Sequence, residues 1–169
     1  MVTRSDILKN GRYAGCVKRY HTWPTITTQT VACHSWQVLR LYTQIFGPPS
    51  TDVTAYILWH DAGELVLGDL PFPVKARNPD LKLACDRIEN EAVVAMGGFI
   101  PKLSEVEKVR CKGCDYVEML EFGLDEVAMG NTFAQPIVDD IKDSLYKLSM
   151  SPEDWLKVEN YLVRVGTCT

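Results

Sequence analysis

Trp59-His60-Asp61-Ala62-Gly63-Glu64, followed by Gly68-Asp69, is the stretch on which the reading of this chain turns. An adjacent His-Asp pair sets an imidazole nitrogen beside a carboxylate oxygen, and both ligate Zn²⁺, Mn²⁺, Co²⁺ or Mg²⁺. Glu64 follows His60 by four residues, so on a helix the two side chains share a face. Read alone, the pair is more simply a partly exposed helix end. The metal reading needs further ligands from elsewhere in the chain.

Working outward, helical spacing recurs and alternating strand patterns are missing. Ser50 or Thr51 caps a helix that buries Val53, Ile57 and Leu58 and carries His60, Asp61 and Glu64 in its last turns. Upstream, a helix from Thr30 to about Phe46 aligns Val31, His34, Val38, Leu41 and Ile45, and Gly47-Pro48-Pro49 stops it. On that apolar face His34 by itself reads as a core histidine rather than a ligand. A first helix is expected from near Thr3 to Val17, and Lys18 to Gln29 reads as an extended loop around Pro24. The loop's aromatic, basic and hydroxyl groups suit a nucleotide-binding surface.

Downstream, Gly68-Asp69-Leu70-Pro71-Phe72-Pro73-Val74-Lys75 reads as a rigid loop. A helix from about Pro79 to Met96 ends at Gly97-Gly98. Ser104 and Glu107 have capping-box spacing and open a long helix to about Met129, closed by Gly130-Asn131. Helices near Gln135 to Lys147 and Ser151 to Val165 complete the pattern. The expectation is one all-α domain over residues 1–169, a bundle of about six to seven helices.

The bulk numbers agree with an ordinary globular chain: 169 residues, 46% hydrophobic and 24% charged. No apolar run reaches bilayer length, and the N-terminal residues lack the apolar core of a signal peptide, so a cytoplasmic protein without a membrane is expected. A net charge of −4 argues against general nucleic-acid binding. The six scattered cysteines read as reduced thiols. Cys111 and Cys114 have metal or redox spacing, but no second soft-ligand pair and no thioredoxin-like context accompany them; two buried helix cysteines are the simpler account. No Gly-rich nucleophile elbow or phosphate loop appears. Glu118, Glu121, Asp125 and Glu126 read as a solvated helix face.

Three motifs in order carry a resemblance. Thr30-Val31-Ala32-Cys33-His34-Ser35 resembles a V-[AS]-E-H-S helix, and residues 59–75 resemble an HDA-x-E…GDLPTPVK segment. Cys114-Asp115-Tyr116-Val117-Glu118 through Gly130-Asn131 resembles an A-D…LEE…GN segment. Together they resemble the H…HD…D signature of HD-domain metal-dependent phosphohydrolases, in their 5′-deoxynucleotidase branch, from about Lys18 to Asn131. Arg19-Tyr20-His21-Thr22-Trp23-Pro24-Thr25-Ile26 is most similar to the small phage type, which includes dATP triphosphohydrolases of phages that use 2-aminoadenine. One departure is Cys33, where the family usually has Glu; that position is not a metal ligand.

The resemblance implies one divalent ion (Co²⁺, Zn²⁺, Mn²⁺ or Mg²⁺) on His34, His60, Asp61 and Asp115. It implies Glu64, then Asp69, for proton transfer, and Arg19, Lys75 and Lys112 for phosphate charge. Tyr20 would stack on base or sugar, with Thr22 and Pro73 completing that pocket. The implied reaction is dATP and water to deoxyadenosine and triphosphate. The alternatives are a 5′-deoxynucleotidase acting on dNMPs and a non-catalytic nucleotide-binding module. The implied partners are the small deoxynucleotide and further copies of the chain, as a dimer or hexamer.

Overall fold

The computed structural model describes residues 6 and 8–167, apart from the side chains of 72, 73 and 76. In chain order its helices are α1 (Gly11–Ala14), α2 (Val31–Phe46), α3 (Thr51–Trp59), α4 (Glu64–Leu67) and α5 (Phe72–Arg77). Then come α6 (Pro79–Ala95), α7 (Glu105–Ala128), a 3₁₀ turn (Thr132–Ala134), α8 (Gln135–Tyr146) and α9 (Pro152–Arg164). Seven of the α-helices have six residues or more, and the all-α expectation holds. Among the described residues the extended pairing is one antiparallel bridge, Lys18 to Thr30. No helix described is long and apolar enough to cross a membrane.

Side-chain caps set the helix starts. Thr30 Oγ1 accepts from the Cys33 N–H at 3.3 Å, and Ser50 Oγ from the Val53 N–H at 3.2 Å. Ser104 and Glu107 form the reciprocal capping box expected from their spacing. Gly47 takes a φ of 89° just past α2, a left-handed stop that suits glycine.

Three expected elements differ. The first helix is interrupted at Asn10, whose side chain accepts from the Arg12 N–H, so only α1 remains beyond it; residues 1–5 and 7 lie outside the described residues. α3 ends at Trp59, not beyond Glu64: residues 60–63 form a turn and Glu64 opens α4. His60 and Glu64 therefore do not share one continuous helix. The segment 68–75 is a loop only to Pro71, because Pro71 and Pro73 stand where missing N–H groups cost a helix nothing and α5 starts there.

The contacts group into two compact units. The first comprises Met1–Pro24, Thr28–Trp36 and Ala55–Pro101. Its core joins Ala14, Ala62 and Val93 with Trp59, Leu65 and Met96. The Trp59 ring lies against Gly98, where an added Cβ would come within 2.5 Å of it, and 3.3 Å from the place of a Cβ on Gly11. Gly63 meets α6 still more closely. A Cβ there would stand 2.4 Å from the Glu89 carbonyl oxygen.

The second unit comprises Thr25–Thr27, Gln37–Thr54 and Lys102–Thr169. α7 packs on α8, and Gly123 permits it, because a Cβ would reach 2.8 Å from Val138. Cys111 and Cys114 are buried on α7, and burial pushes the Cys111 thiol up to about 12 and the Cys114 thiol upward too. Inert core thiols are what the sequence suggested. The acidic face of α7 is a correction, since Glu118 and Glu126 are buried rather than solvated. Glu126 accepts from the N–H groups of Ile26 and Thr27, the Thr27 hydroxyl and the Asn131 amide, at 2.6 to 2.8 Å. Burial alone would raise its carboxyl; these donors outweigh it and hold it at about 2. Glu121 bonds Arg40 at 2.6 Å and the Tyr161 hydroxyl at 2.5 Å.

Gly63 has a φ of −65°, which any residue adopts, so its constraint is space alone. Gly63→Ala should therefore destabilise by about 1–3 kcal/mol or more through overpacking against the α6 backbone. Chemical denaturation reads it as a lowered midpoint; an unchanged midpoint contradicts the close approach.

Candidate metal centre

The first unit brings three of the expected ligands together. One donor atom each from His34, His60 and Asp61 lies within 4.8 Å of the others. The His34 Nε2 and the His60 Nε2 each stand 3.4 Å from Asp61 Oδ2, and the rings are 5.6 Å apart. His34 arrives on the inner face of α2 with no solvent exposure, which explains its place in the apolar pattern. His60 and Asp61 come from the turn after α3.

That turn also fixes the chemistry of His60. Its Nδ1 lies 2.8 Å from the Ile57 carbonyl oxygen, which can only accept, so Nδ1 carries the proton. Nε2 is the nitrogen that faces Asp61. A backbone carbonyl orienting one ring nitrogen while the other ligates is the usual support for a metal-bound imidazole. The Tyr56 ring stacks on His60 at 5.8 Å and 15°, restricting its rotation. Two imidazole nitrogens and one carboxylate, partly shielded from water, fit Zn²⁺ or another borderline divalent ion.

Around the cluster stand five of the other expected residues, Tyr20 among them. Arg19, 8% exposed, donates from Nη1 to Asp61 Oδ2 at 2.6 Å. Asp69 Oδ2 accepts from the Tyr20 N–H at 2.9 Å. Lys75 Nζ donates to Glu89 Oε1 at 2.9 Å; burial alone would lower the Lys75 ammonium, but that bond and the Glu89 charge, with smaller pulls from Glu64 and Asp61, raise it. Glu64 is 6% exposed, and its Oε2 is buried with no hydrogen-bond partner. Burial first, then the charges of Asp61 and Asp69, push its carboxyl up to about 9 against the pull of Arg19 and Lys75. In this state Glu64 holds a proton at neutral pH.

The remaining expected residues are placed differently. Asp115 and Lys112 belong to the second unit, on α7, and pair with each other at 2.5 Å. Lys112 Nζ also lies 4.5 Å from the centre of the Tyr116 ring. Thr22 is exposed, and the Pro73 side chain lies outside the described residues. Glu89 was not singled out from sequence. It sits in the middle of α6, and only the fold, by closing Gly63 and Lys75 onto it, gives it a role.

The folded state keeps a proton on Glu64 that the unfolded chain releases above the ordinary value of 4.5. Stability of the metal-free protein from this site is full in acid and lost as pH rises from there to about 9. Glu64→Gln, neutral throughout, should raise the melting temperature of the chelator-treated protein more at pH 8 than at pH 5. An equal gap at both values would count against the protonated carboxyl.

Comparison with known proteins places these features in a family. The protein-family model described as 5′-deoxynucleotidase YfbR-like matches residues 14–155. A 5′-deoxynucleotidase of Pasteurella multocida is 26% identical over 121 residues, 65% of this chain and 58% of that relative. A dATP triphosphohydrolase of Salmonella phage PMBT28 is 36% identical over 108 residues, 54% of this chain and 51% of that relative. The chain thus spans little more than half the length of these two curated relatives. Among solved structures, the cyanophage S-2L HD phosphohydrolase (DatZ) bound to dA and one catalytic Zn²⁺ ion aligns with a TM-score of 0.70. It is 20% identical, and the alignment covers 100% of this chain and 99% of that one. That likeness shows the HD-domain fold.

Proposed function

The chain belongs to the YfbR-like 5′-deoxynucleotidase family, and on that premise we propose that it is a divalent-metal-dependent phosphohydrolase that converts dATP and water to deoxyadenosine and triphosphate. The observation that carries the reading is the donor cluster of His34, His60 and Asp61 beside the buried, unpartnered Oε2 of Glu64. When bound there, a divalent ion supplies Lewis-acid polarisation of a phosphoryl oxygen and acidifies water. Asp115 as a further ligand, and Lys112 as a cation for phosphate, rest on the sequence resemblance.

The protein's own groups divide the remaining work. Water adds to the α-phosphorus, and the bond from that phosphorus to the 5′-oxygen breaks. The leaving oxygen needs a proton, and Glu64 is the proposed carrier, taking one from the attacking water and passing one to the 5′-oxygen. Arg19, charged at every working pH, brings a cation to where phosphate charge accumulates while it orients Asp61. Lys75 adds a second cation, held by Glu89. Tyr20, with Thr22 and Pro73, is the proposed contact for base and sugar.

Hydrolysis of a dNMP breaks the same phosphorus–oxygen bond, so the same cluster serves either substrate. The 36% identity to the phage triphosphohydrolase supports dATP. The family description and the Pasteurella multocida relative favour a second reading, 5′-deoxynucleotidase activity.

Chromatography of reactions with the metal-loaded protein should show triphosphate and deoxyadenosine released from dATP. Phosphate from dAMP as the sole product would overturn the dATP assignment and leave the nucleotidase. Asp61→Ala should lose more than about a hundredfold in turnover together with its bound metal; a variant that keeps both refutes the ligand role.

A further inference from the structure

Tyr20 is the one non-glycine residue with positive φ, 55°, among the described residues. A bulky L-residue pays for that conformation because its Cβ crowds the following carbonyl, so something must hold it there. The holding group is visible. The Tyr20 N–H donates to Asp69 Oδ2 at 2.9 Å, and the Tyr20 carbonyl accepts from the Trp23 N–H at 2.9 Å. A charged acceptor makes the first of these the stronger bond. Asp69 itself follows Gly68, whose φ of 79° turns the chain back after α4. The Tyr20 ring lies 5.6 Å from the Arg19 guanidinium, which is tied to Asp61.

From this geometry we infer that Asp69 is a positioning residue: it locks the left-handed backbone of Tyr20 and thereby sets where the Tyr20 ring meets the nucleoside. The inference rests on the nucleotide reading above and assigns Asp69 to substrate specificity instead of proton transfer. The two roles demand different chemistry. Accepting from an N–H needs only an oxygen, which an amide also has; moving a proton needs the carboxylate.

The test has two arms on the metal-loaded protein. Amide hydrogen exchange at Tyr20, read by NMR without substrate, should be slow in wild type and in Asp69→Asn. It should be roughly tenfold or more faster in Asp69→Ala. Equal exchange in all three overturns the inference whether or not the protein hydrolyses nucleotides. In the kinetic arm, with dATP and dAMP, Asp69→Ala should raise KM by about tenfold while kcat changes less, and Asp69→Asn should lose less than Asp69→Ala. In a Tyr20→Gly background, which removes both ring and backbone strain, Asp69→Ala should cost little further. An Asp69→Asn variant as damaged in kcat as Asp69→Ala, or a full loss that persists in the Tyr20→Gly background, overturns the inference. If neither nucleotide is hydrolysed, the functional reading fails on its own, and the exchange arm decides the role of Asp69.

Discussion

The approach of residue 63 to α6 is the constraint on which the site depends. At this point the chain has left α3, turned, and must re-enter a helix with the turn pressed against the Glu89 backbone. Only a residue without Cβ fits, since one would stand 2.4 Å from a carbonyl oxygen. The contact fixes the turn from below while Trp59, against Gly98, fixes it from its entry side. Between these two anchors lie His60 and Asp61. These two donors owe their placement to packing of their neighbours, and they meet His34 from the turn that breaks the helix. Glu64 then starts α4 with its own side chain buried.

Burial sorts the carboxylates of the first unit into different jobs. Asp61 has a guanidinium and two imidazoles about it, a setting that suits a metal-binding carboxylate. Asp69 is engaged with a backbone N–H, and Glu89 with an ammonium. Glu64 has no such partner at Oε2, and the same burial that the others tolerate drives it to the neutral form. Three residues after Asp61, Glu64 is thus held neutral, able to carry a proton beside a residue tied to a guanidinium.

Much of this was legible in the sequence because its signals are local. Helix caps, the Gly47 stop and the long α7 follow from side chains a few positions apart, and the order His34, His60-Asp61 marks residues whose donor atoms the fold gathers. What failed was continuity. Four-residue spacing placed His60 and Glu64 on one helix, yet residues 60–63 turn, because helical propensity cannot register that a glycine there must meet α6. The acidic run of α7 failed for a related reason. Glu126 looks like any surface glutamate until residues a hundred positions away, Ile26 and Thr27, supply the donors that bury it. Glu89 was invisible for the same cause, since its partner Lys75 lies on another helix.

Charge also bears on what a divalent ion would do at this cluster. In the first unit the carboxylates of Asp61, Asp69 and Glu89 face the cations Arg19 and Lys75, while Glu64 is neutral. Each cation is already paired with one of those carboxylates, at 2.6 and 2.9 Å. An incoming phosphate therefore meets no surplus positive charge among these groups. It must share Arg19 and Lys75 with their partners. A divalent ion held by His34, His60 and Asp61 would reverse this balance, and Arg19 would then be available to phosphate oxygens. Substrate affinity and metal affinity would on this account be linked through Asp61. Under the proposed dATP reaction, a triphosphate, with more charge to place than a monophosphate, would depend on that link more strongly.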